Sequence, residues 1–195
     1  MEIVVGITGA SGGIYGLRLI RELLVRDIEV VLLATEAGKQ VLAYETGVRL
    51  GEDAAADVAG FYGLQTTGLR FAPDDDLFDP ICSGSRAPDA VIIAPCSMAT
   101  LAAVASGHSS GLLERAADVA LKEGRKLILV PRETPLSLIH IENMARVARA
   151  GGVILPAMPA FYTGPDTVDE MVEFIVGKVL DRLGIAHDLY PRWRE

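Results

Sequence analysis

Residues 1–24 read MEIVVGITGASGGIYGLRLIRELL, and this stretch decides the fold of the 195-residue chain. The β-branched and apolar run at Glu2–Gly6 predicts a buried strand. Four glycines follow, and then Leu17, Ile20 and Leu23 recur with the period of a helix. The segment therefore predicts a strand, a tight loop and a helix, which is the repeating unit of an α/β protein.

The same alternation continues along the rest of the chain. Further strands are predicted at Glu29–Ala34, Asp89–Ala94, Lys126–Val130 and Gly152–Leu155. Further helices are predicted at Glu36–Thr46, Ser97–Ser106, Leu112–Lys122, Ser137–Ala150 and Asp166–Leu183. Residues 51–80 are the least regular part and are expected to carry short elements. Apolar strands between helices indicate a parallel sheet covered on both faces, so we predict a single Rossmann-like, doubly wound α/β domain over residues 1–195.

Composition limits the kinds of partner. The net charge of −8 opposes nucleic-acid binding, which needs a basic face, and leaves a small-molecule ligand as the better expectation. Half of the residues are hydrophobic and the mean hydropathy is +0.34, which favours a homo-oligomer. Two cysteines, the lack of a signal sequence and apolar runs too short to cross a bilayer predict a cytoplasmic protein without a membrane segment.

Ligands of doubly wound sheets collect beyond the carboxyl ends of the strands. The loops expected there combine small or hydroxyl residues, proline or a charge: TGASGG (8–13), TE (35–36), PCSMAT (95–100), PRE (131–133) and PAMP (156–159). The first loop has the backbone freedom to approach a phosphate, but it lacks the G-x-G-x-x-G spacing. The alternative is a tight turn that needs its glycines only for packing. Ser97 and Thr100 could face a ligand or simply cap a helix.

Charged residues suggest two further sites. Arg115 and Lys122 are two helical turns apart and could grip one phosphate, although a solvated charged face is the commoner case. Arg132 and Glu133 stand at a strand exit, where an arginine fork suits phosphate and a carboxylate can exchange a proton; the alternative is an Arg–Glu surface pair without a ligand. The acidic run DDLFD (75–79) matches a magnesium-binding pattern of isoprenoid synthases, but we interpret it as a solvated loop and predict no metal.

Seven fragments, taken in order, resemble the UbiX-type flavin prenyltransferases. They are TGASG (8–12), YET (44–46), SGS (83–85), APCSMAT (94–100), ERAADV (114–119), LVPRETP (129–135) and MPAFY (158–162), and the match extends to PRW (191–193). The resemblance implies a metal-independent enzyme that moves a dimethylallyl group from dimethylallyl monophosphate to N5 and C6 of reduced FMN. It also implies a dodecamer with sites at subunit contacts, and a UbiD-type decarboxylase as the user of the prenylated FMN.

The resemblance assigns roles by position. For FMN it implies Gly9, Ala10, Ser11, Thr35, Ser97, Met98, Ala99, Thr100 and Arg132. For the donor phosphate it implies Arg115, Lys122, Arg132, Glu133, Tyr162 and Lys178, the last replacing the arginine usual in the family. For proton handling it implies Glu133, Ser11 and Glu45, with Glu133 as our candidate for removing the C6 proton. Negative charge develops on the phosphate as the allylic C–O bond breaks, and cations must stabilise it. Arg115, Lys122 and Arg132 can supply this positive charge.

Three other functions are weighed against this one. FMN-dependent cysteine decarboxylases share the fold but use a histidine between the second and third strands, and the first histidine here is His108. A short-chain reductase would need Tyr-x-x-x-Lys, which the chain lacks. A non-catalytic flavin carrier would not need Glu133, Arg132, Lys122 and Tyr162, so their presence favours catalysis.

Overall fold

The computed structural model describes residues 1–192; Trp193, the last residue of the PRW motif, lies outside them. The strands are β1 (Glu2–Ile7), β2 (Glu29–Ala34), β3 (Leu69–Phe71), β4 (Ala90–Cys96), β5 (Lys126–Pro131) and β6 (Val153–Ile154). The helices are α1 (Gly13–Leu24), α2 (Glu36–Thr46), α3 (Ala54–Phe61), α4 (Met98–Ser106), α5 (Leu112–Lys122), α6 (Leu138–Arg149) and α7 (Val168–Leu183). Two short 3₁₀ turns lie at Pro80–Cys82 and Gly84–Arg86.

The strands form one parallel sheet in the order β3-β2-β1-β4-β5-β6. This arrangement confirms the predicted doubly wound α/β fold. The topological switch point lies between β1 and β4, because β2 and β3 lie on one side of β1 whereas β4, β5 and β6 lie on the other. Loops diverge at such a point and leave a crevice at the carboxyl ends of the two central strands.

Both faces of the sheet are covered by helices, as the apolar strands predict. In β1, Ile3 and Val5 pack on one face in a core that includes Leu17 of α1 and Val176 of α7. Val4 points to the other face, into a core built with α5 and neighbouring elements. The central strand is therefore buried on both sides and holds the crevice residues on a rigid base.

Local capping sets several boundaries that differ from the predicted ones. Ser137 is the N-cap of α6 and lies just outside it, because its hydroxyl accepts from the His140 N–H (3.2 Å). Thr167 caps α7 in the same way, accepting from the Glu170 N–H (3.2 Å), so this helix begins at Val168 instead of Asp166. Within the described residues no helix is long and apolar enough to span a membrane.

Candidate active site

Thr8 joins the two loops that border the crevice. Its hydroxyl donates to the Pro95 carbonyl (2.8 Å) and accepts from the Ser97 N–H (2.7 Å). The residue is buried, so water does not compete for these bonds. Thr8 thus fixes the end of β1 against the beginning of α4, a role that sequence reasoning missed although the residue stood at a strand exit.

The glycine loop combines packing with a special conformation. Gly12 has a φ of 106°, in the left-handed region that favours glycine, and it is the N-cap of α1. A Cβ on Gly16 would collide with the carbonyl oxygen of Ala94, so glycine lets α1 approach β4 closely. Packing therefore explains part of the glycine pattern, in agreement with the alternative that glycine is needed there for a tight turn.

The N-terminus of α1 already carries a negative partner from the protein. The carboxylate of Glu45, on α2, accepts from the N–H groups of Gly12 (2.8 Å) and Gly13 (3.1 Å). Burial raises the pKa of this carboxyl, but the bonds from the loop outweigh it and lower the pKa overall. The Ser11 hydroxyl and the charge of Arg132 act in the same direction. Glu45 is therefore an ionised acceptor at neutral pH, held where an anion would bind the helix end.

The N-terminus of α4 lies beside this loop and is capped differently. The Ser97 hydroxyl accepts from the Thr100 N–H (3.2 Å) and donates to the Thr100 hydroxyl (3.1 Å). Met98 and Ala99 are the first two residues of the helix, so their N–H groups have no intrahelical acceptor. Because Glu45 holds the end of α1, the end of α4 is the better place in this crevice for a phosphate.

Thr35 stands at the next strand exit, after β2. Its hydroxyl caps α2 by accepting from the Gly38 N–H (3.1 Å), and its own N–H donates to the Ile7 carbonyl (3.0 Å). The residue therefore lies next to the carboxyl end of β1, on the side away from β4. The structure brings Thr35 to the same edge of the sheet as the glycine loop.

The loop after β5 reaches across β4 to the glycine loop. The Nε of Arg132 donates to the Ser11 carbonyl (3.2 Å), which joins two residues 121 positions apart. Glu133 is exposed, and its carboxylate accepts from the N–H of Thr134 (3.0 Å). Ser11, Glu45 and Arg132 thus form one polar group, with Glu133 adjacent to it in the chain.

Lys122 is not brought to this group within one chain, and Arg115 lies on the same helix. Arg115 pairs with Asp118 (2.8 Å) on α5, and Lys122 at the end of the helix pairs with Glu123 (2.5 Å) just after it. Lys122 lies near the amino end of β5, whereas Arg132 follows the carboxyl end of the same strand. A six-residue strand separates these ends by about 20 Å. One phosphate cannot touch Lys122 and Arg132 of the same chain.

Tyr162 and Lys178 belong to a third group, built from α7 and from the segments before and after it. The Tyr162 ring meets Phe174 edge to face, with the ring centroids 6.1 Å apart. Lys178 Nζ lies 3.6 Å from an Asp181 carboxylate oxygen. Sequence reasoning missed Asp181 and the aromatic residues that join this group.

The acidic run at 75–79 does not form a chelating helix. It lies in an irregular loop, and both carboxylate oxygens of Asp79 accept from the guanidinium of Arg70 (2.7 and 3.0 Å). The loop position agrees with the sequence interpretation, but Asp79 is buried instead of solvated. Among residues 1–192 no cluster of three or more His, Cys, Asp or Glu side chains is arranged to hold a metal.

Comparison with known proteins identifies the class. A family model described as Flavoprotein matches residues 1–180. This range includes β1, the crevice between the β1 and β4 loops, and most of α7. The chain is therefore a flavoprotein of the doubly wound class.

The relatives define the family more narrowly. A curated flavin prenyltransferase UbiX from Halalkalibacterium halodurans is 48% identical over 98% of this chain and 92% of its own length. The UbiX of Pseudomonas aeruginosa is 46% identical over 100% of this chain and 94% of its own length. The chain belongs to the UbiX flavin prenyltransferase family, which confirms the resemblance seen in the sequence.

Solved structures agree with this placement. A UbiX (PadA1) solved with FMN and dimethylallyl pyrophosphate superposes with a TM-score of 0.89 at 36% identity, covering 100% of this chain and 97% of the other. A dodecameric FMN-dependent UbiX-like decarboxylase from Escherichia coli O157:H7 gives a TM-score of 0.88 at 42% identity, with both chains fully covered. The cysteine decarboxylase TvaF, at 16% identity and a TM-score of 0.59, shares the fold alone.

Proposed function

We propose that this chain is a flavin prenyltransferase that moves a dimethylallyl group from dimethylallyl monophosphate to N5 and C6 of reduced FMN. The observation that carries the proposal is the convergence of Ser11, Glu45 and Arg132 at the crevice between β1 and β4. Doubly wound folds bind ligands in this crevice, which supports placing the flavin of a flavin prenyltransferase there.

The donors in the crevice fit a flavin phosphate. The N-terminus of α4 offers N–H groups, and the Ser97 and Thr100 hydroxyls lie beside it. Gly9 and Ala10 present only backbone and a methyl group, which leaves space for a flat ring to approach the loop. We assign the FMN phosphate to the α4 end and the isoalloxazine to the region of Ser11 and Glu45, with Thr35, Met98 and Ala99 as further contacts.

Arg132 has a double role in this proposal. Its Nε is held by the Ser11 carbonyl, so the position of the guanidinium is fixed relative to the glycine loop. The remaining N–H groups form a planar fork that suits the oxygens of a phosphate. Arg132 therefore orients the donor phosphate beside the flavin and stabilises the charge that develops on the departing phosphate.

Reduced FMN supplies the electrons for both new bonds when it is bound. The protein has to stabilise the charge on the departing phosphate and accept the N5 proton as the first bond forms. Ring closure then needs one proton delivered to the double bond of the N5-bound dimethylallyl group and another removed from C6. We assign removal of the C6 proton to Glu133, which is exposed at the rim of the crevice. Ser11 and Glu45 act at N5, where the ionised carboxylate accepts from the serine hydroxyl and so fixes its orientation.

Lys122 enters this scheme from a neighbouring subunit, because β5 separates it from Arg132 in one chain, and we place Arg115 of the same helix with it. Large apolar side chains near the candidate site are exposed, among them Leu138, Ile139, Met158, Phe161 and Tyr162. Such a surface favours self-association. We propose a homo-oligomer, a dodecamer like the E. coli relative, with Tyr162 and Lys178 completing each donor site.

A UbiD-type decarboxylase is our proposed recipient of the prenylated FMN, on the basis of the family resemblance alone. A cytoplasmic location stays a prediction from composition. Neither changes the chemistry assigned to the crevice.

The direct test is anaerobic incubation with reduced FMN and dimethylallyl monophosphate, followed by mass spectrometry of the flavin. We expect the flavin to gain one C5H8 unit. Arg132→Ala should abolish the gain, whereas Arg149→Ala, a matched change at the exposed end of α6, should leave it unchanged. An unaltered flavin with the wild-type protein would support the carrier alternative instead.

A further inference from the structure

The segment after α7 folds back and packs tightly on that helix. A Cβ added to Gly177 would lie 2.6 Å from the Tyr190 ring and 2.8 Å from the His187 ring. Glycine in a helix interior is destabilising relative to alanine, so its presence here needs a structural reason. The close approach of Tyr190 to the helix backbone supplies that reason.

Asp181 holds this segment through three side chains. Its carboxylate accepts from the Tyr190 hydroxyl, from Nη2 of Arg192 (2.9 Å) and from Nε2 of His187 (3.1 Å). The Leu189 N–H donates to Nδ1 of His187 (3.2 Å), which leaves the hydrogen of a neutral imidazole on Nε2. Burial raises the pKa of Asp181, but these bonds lower it to about 2, so the carboxylate is ionised at neutral pH.

The same cluster contacts both donor-phosphate candidates of this region. Lys178 Nζ lies 3.6 Å from the Asp181 carboxylate and 5.8 Å above the centre of the Tyr190 ring. The Tyr190 ring also packs on Phe174 with centroids 4.9 Å apart, and Phe174 in turn contacts Tyr162. Tyr162 and Lys178 are thus linked through a ring that comes from the C-terminal segment.

We infer that Tyr190 and Asp181 are positioning residues for the donor-phosphate site, which fix the Lys178 ammonium and the Tyr162 ring relative to each other. The inference rests on the proposed function, because it takes Tyr162 and Lys178 as the groups that meet the phosphate.

The identity of residue 178 explains why such support is needed. An arginine brings a rigid planar fork to a phosphate, whereas lysine is a point charge on a flexible four-carbon stem. The carboxylate of Asp181 and the face of the Tyr190 ring both attract an ammonium group. Together they restrict Lys178 to one region beside α7.

Binding and turnover of dimethylallyl monophosphate test this inference in Tyr190→Ala, Tyr190→Phe and Asp181→Asn. Calorimetry on protein loaded with oxidised FMN gives the donor Kd without reaction. We expect Tyr190→Ala and Asp181→Asn to raise both this Kd and the KM about tenfold, with kcat and the FMN Kd within about twofold of wild type. Tyr190→Phe keeps the ring contacts and loses the hydroxyl, so it should recover most of the donor affinity.

Asp169→Asn is the matched control, since it removes a carboxylate from the first turn of the same helix. Asp169 is exposed and pairs with Arg18 (3.3 Å), away from the aromatic cluster. Its donor Kd should equal that of wild type.

An unchanged donor Kd and KM in Asp181→Asn, or an equal loss of FMN and donor affinity in that variant, would overturn the inference; Asp181→Asn decides the matter if Tyr190→Ala does not fold. Wild-type protein that binds the donor without transferring it would overturn the proposed function, while the variant Kd values still decide the positioning role. Wild-type protein that does not bind the donor would overturn both.

Discussion

Replacing Thr8 with valine tests the contact between the β1 and β4 loops and leaves the packing of the rest of the fold unchanged. Valine keeps the branched shape but has no hydroxyl, so the variant loses the bonds to Pro95 and Ser97. Thr8 is only 1% exposed, and water cannot replace the lost partners. We expect the free energy of unfolding to fall by about 2 kcal/mol, because a buried polar group left unpaired costs roughly 1–3 kcal/mol.

The same change should weaken FMN binding, since the Ser97 N–H is the group that Thr8 fixes at the beginning of α4. A loss of about 1.4 kcal/mol in the free energy of FMN binding would raise the FMN Kd tenfold. Quenching of flavin fluorescence measures this Kd. Urea unfolding at a fixed protomer concentration measures the stability of the FMN-free protein.

Two variants control for the loss of a hydroxyl as such. Thr8→Ser keeps both hydrogen bonds and should retain FMN affinity. Ser106→Ala removes a hydroxyl from the opposite end of α4, where it donates to the carbonyls of Ala102 and Ala103, and should leave the FMN Kd unchanged. A Thr8→Val protein that loses stability but binds FMN as tightly as wild type would refute the positioning role of this contact.

Three further predictions concern charge. Glu45→Gln should lower the free energy of unfolding by about 1 kcal/mol at pH 7, because it removes a charged acceptor from the end of α1. The folded-state pKa of Glu45 lies below its ordinary value of 4.5, so this difference from wild type is present above about pH 4.5 and disappears as the pH falls through the folded-state pKa; urea unfolding at pH 7 and pH 4 measures it. Glu133→Gln should stop ring closure and leave flavin bonded only at N5, which the absorption spectrum distinguishes from the closed product of equal mass. Lys122→Ala should raise the KM for dimethylallyl monophosphate about tenfold and leave the FMN Kd unchanged, in fluorescence and turnover assays.

Each of these predictions has a contrary outcome. A stability difference for Glu45→Gln that stays constant down to pH 4 would mean that the charge of the carboxylate is not what the helix end binds. Closed product at the wild-type rate would remove Glu133 from the proton transfer. Glu123→Gln serves as the control for Lys122, since it removes the partner of the ion pair and keeps the cation; equal losses of FMN and donor affinity in Lys122→Ala would place that residue outside the donor site.

Most of the sheet could be predicted because buried parallel strands are continuous apolar runs. β2 was predicted with both of its observed ends, and β1, β4 and β5 to within two residues. β3 could not be located in this way, since three residues that include Arg70 carry no hydrophobic period. It lies at the edge of the sheet, where pairing with β2 alone places it.

The site was less predictable than the fold because its contacts join residues far apart in sequence. Glu45 could be placed on a helix, but its bonds to Gly12 and Gly13 depend on how α2 packs beside α1. The Asp181 cluster was also missed, although a glycine inside the regular pattern of α7 was a usable signal that another segment packs there. Residue spacing along one helix or strand predicts which side chains share a face. A polar group built from several elements can be predicted only when the packing of those elements is known.

The position of Lys122 indicates that a single chain cannot bring both Lys122 and Arg132 to one donor phosphate. Its helix ends near the amino edge of the sheet, and the crevice proposed for FMN opens at the carboxyl edge, about 20 Å away along β5. A donor phosphate held by Arg132 can meet a second cation of this kind only if another copy presents α5 to the crevice. Oligomers that mix Lys122→Ala and Arg132→Ala chains would then contain some sites with both cations. Transfer activity should return in the mixture although each variant alone is weak, and a mixture no more active than its components would mean that each chain acts by itself.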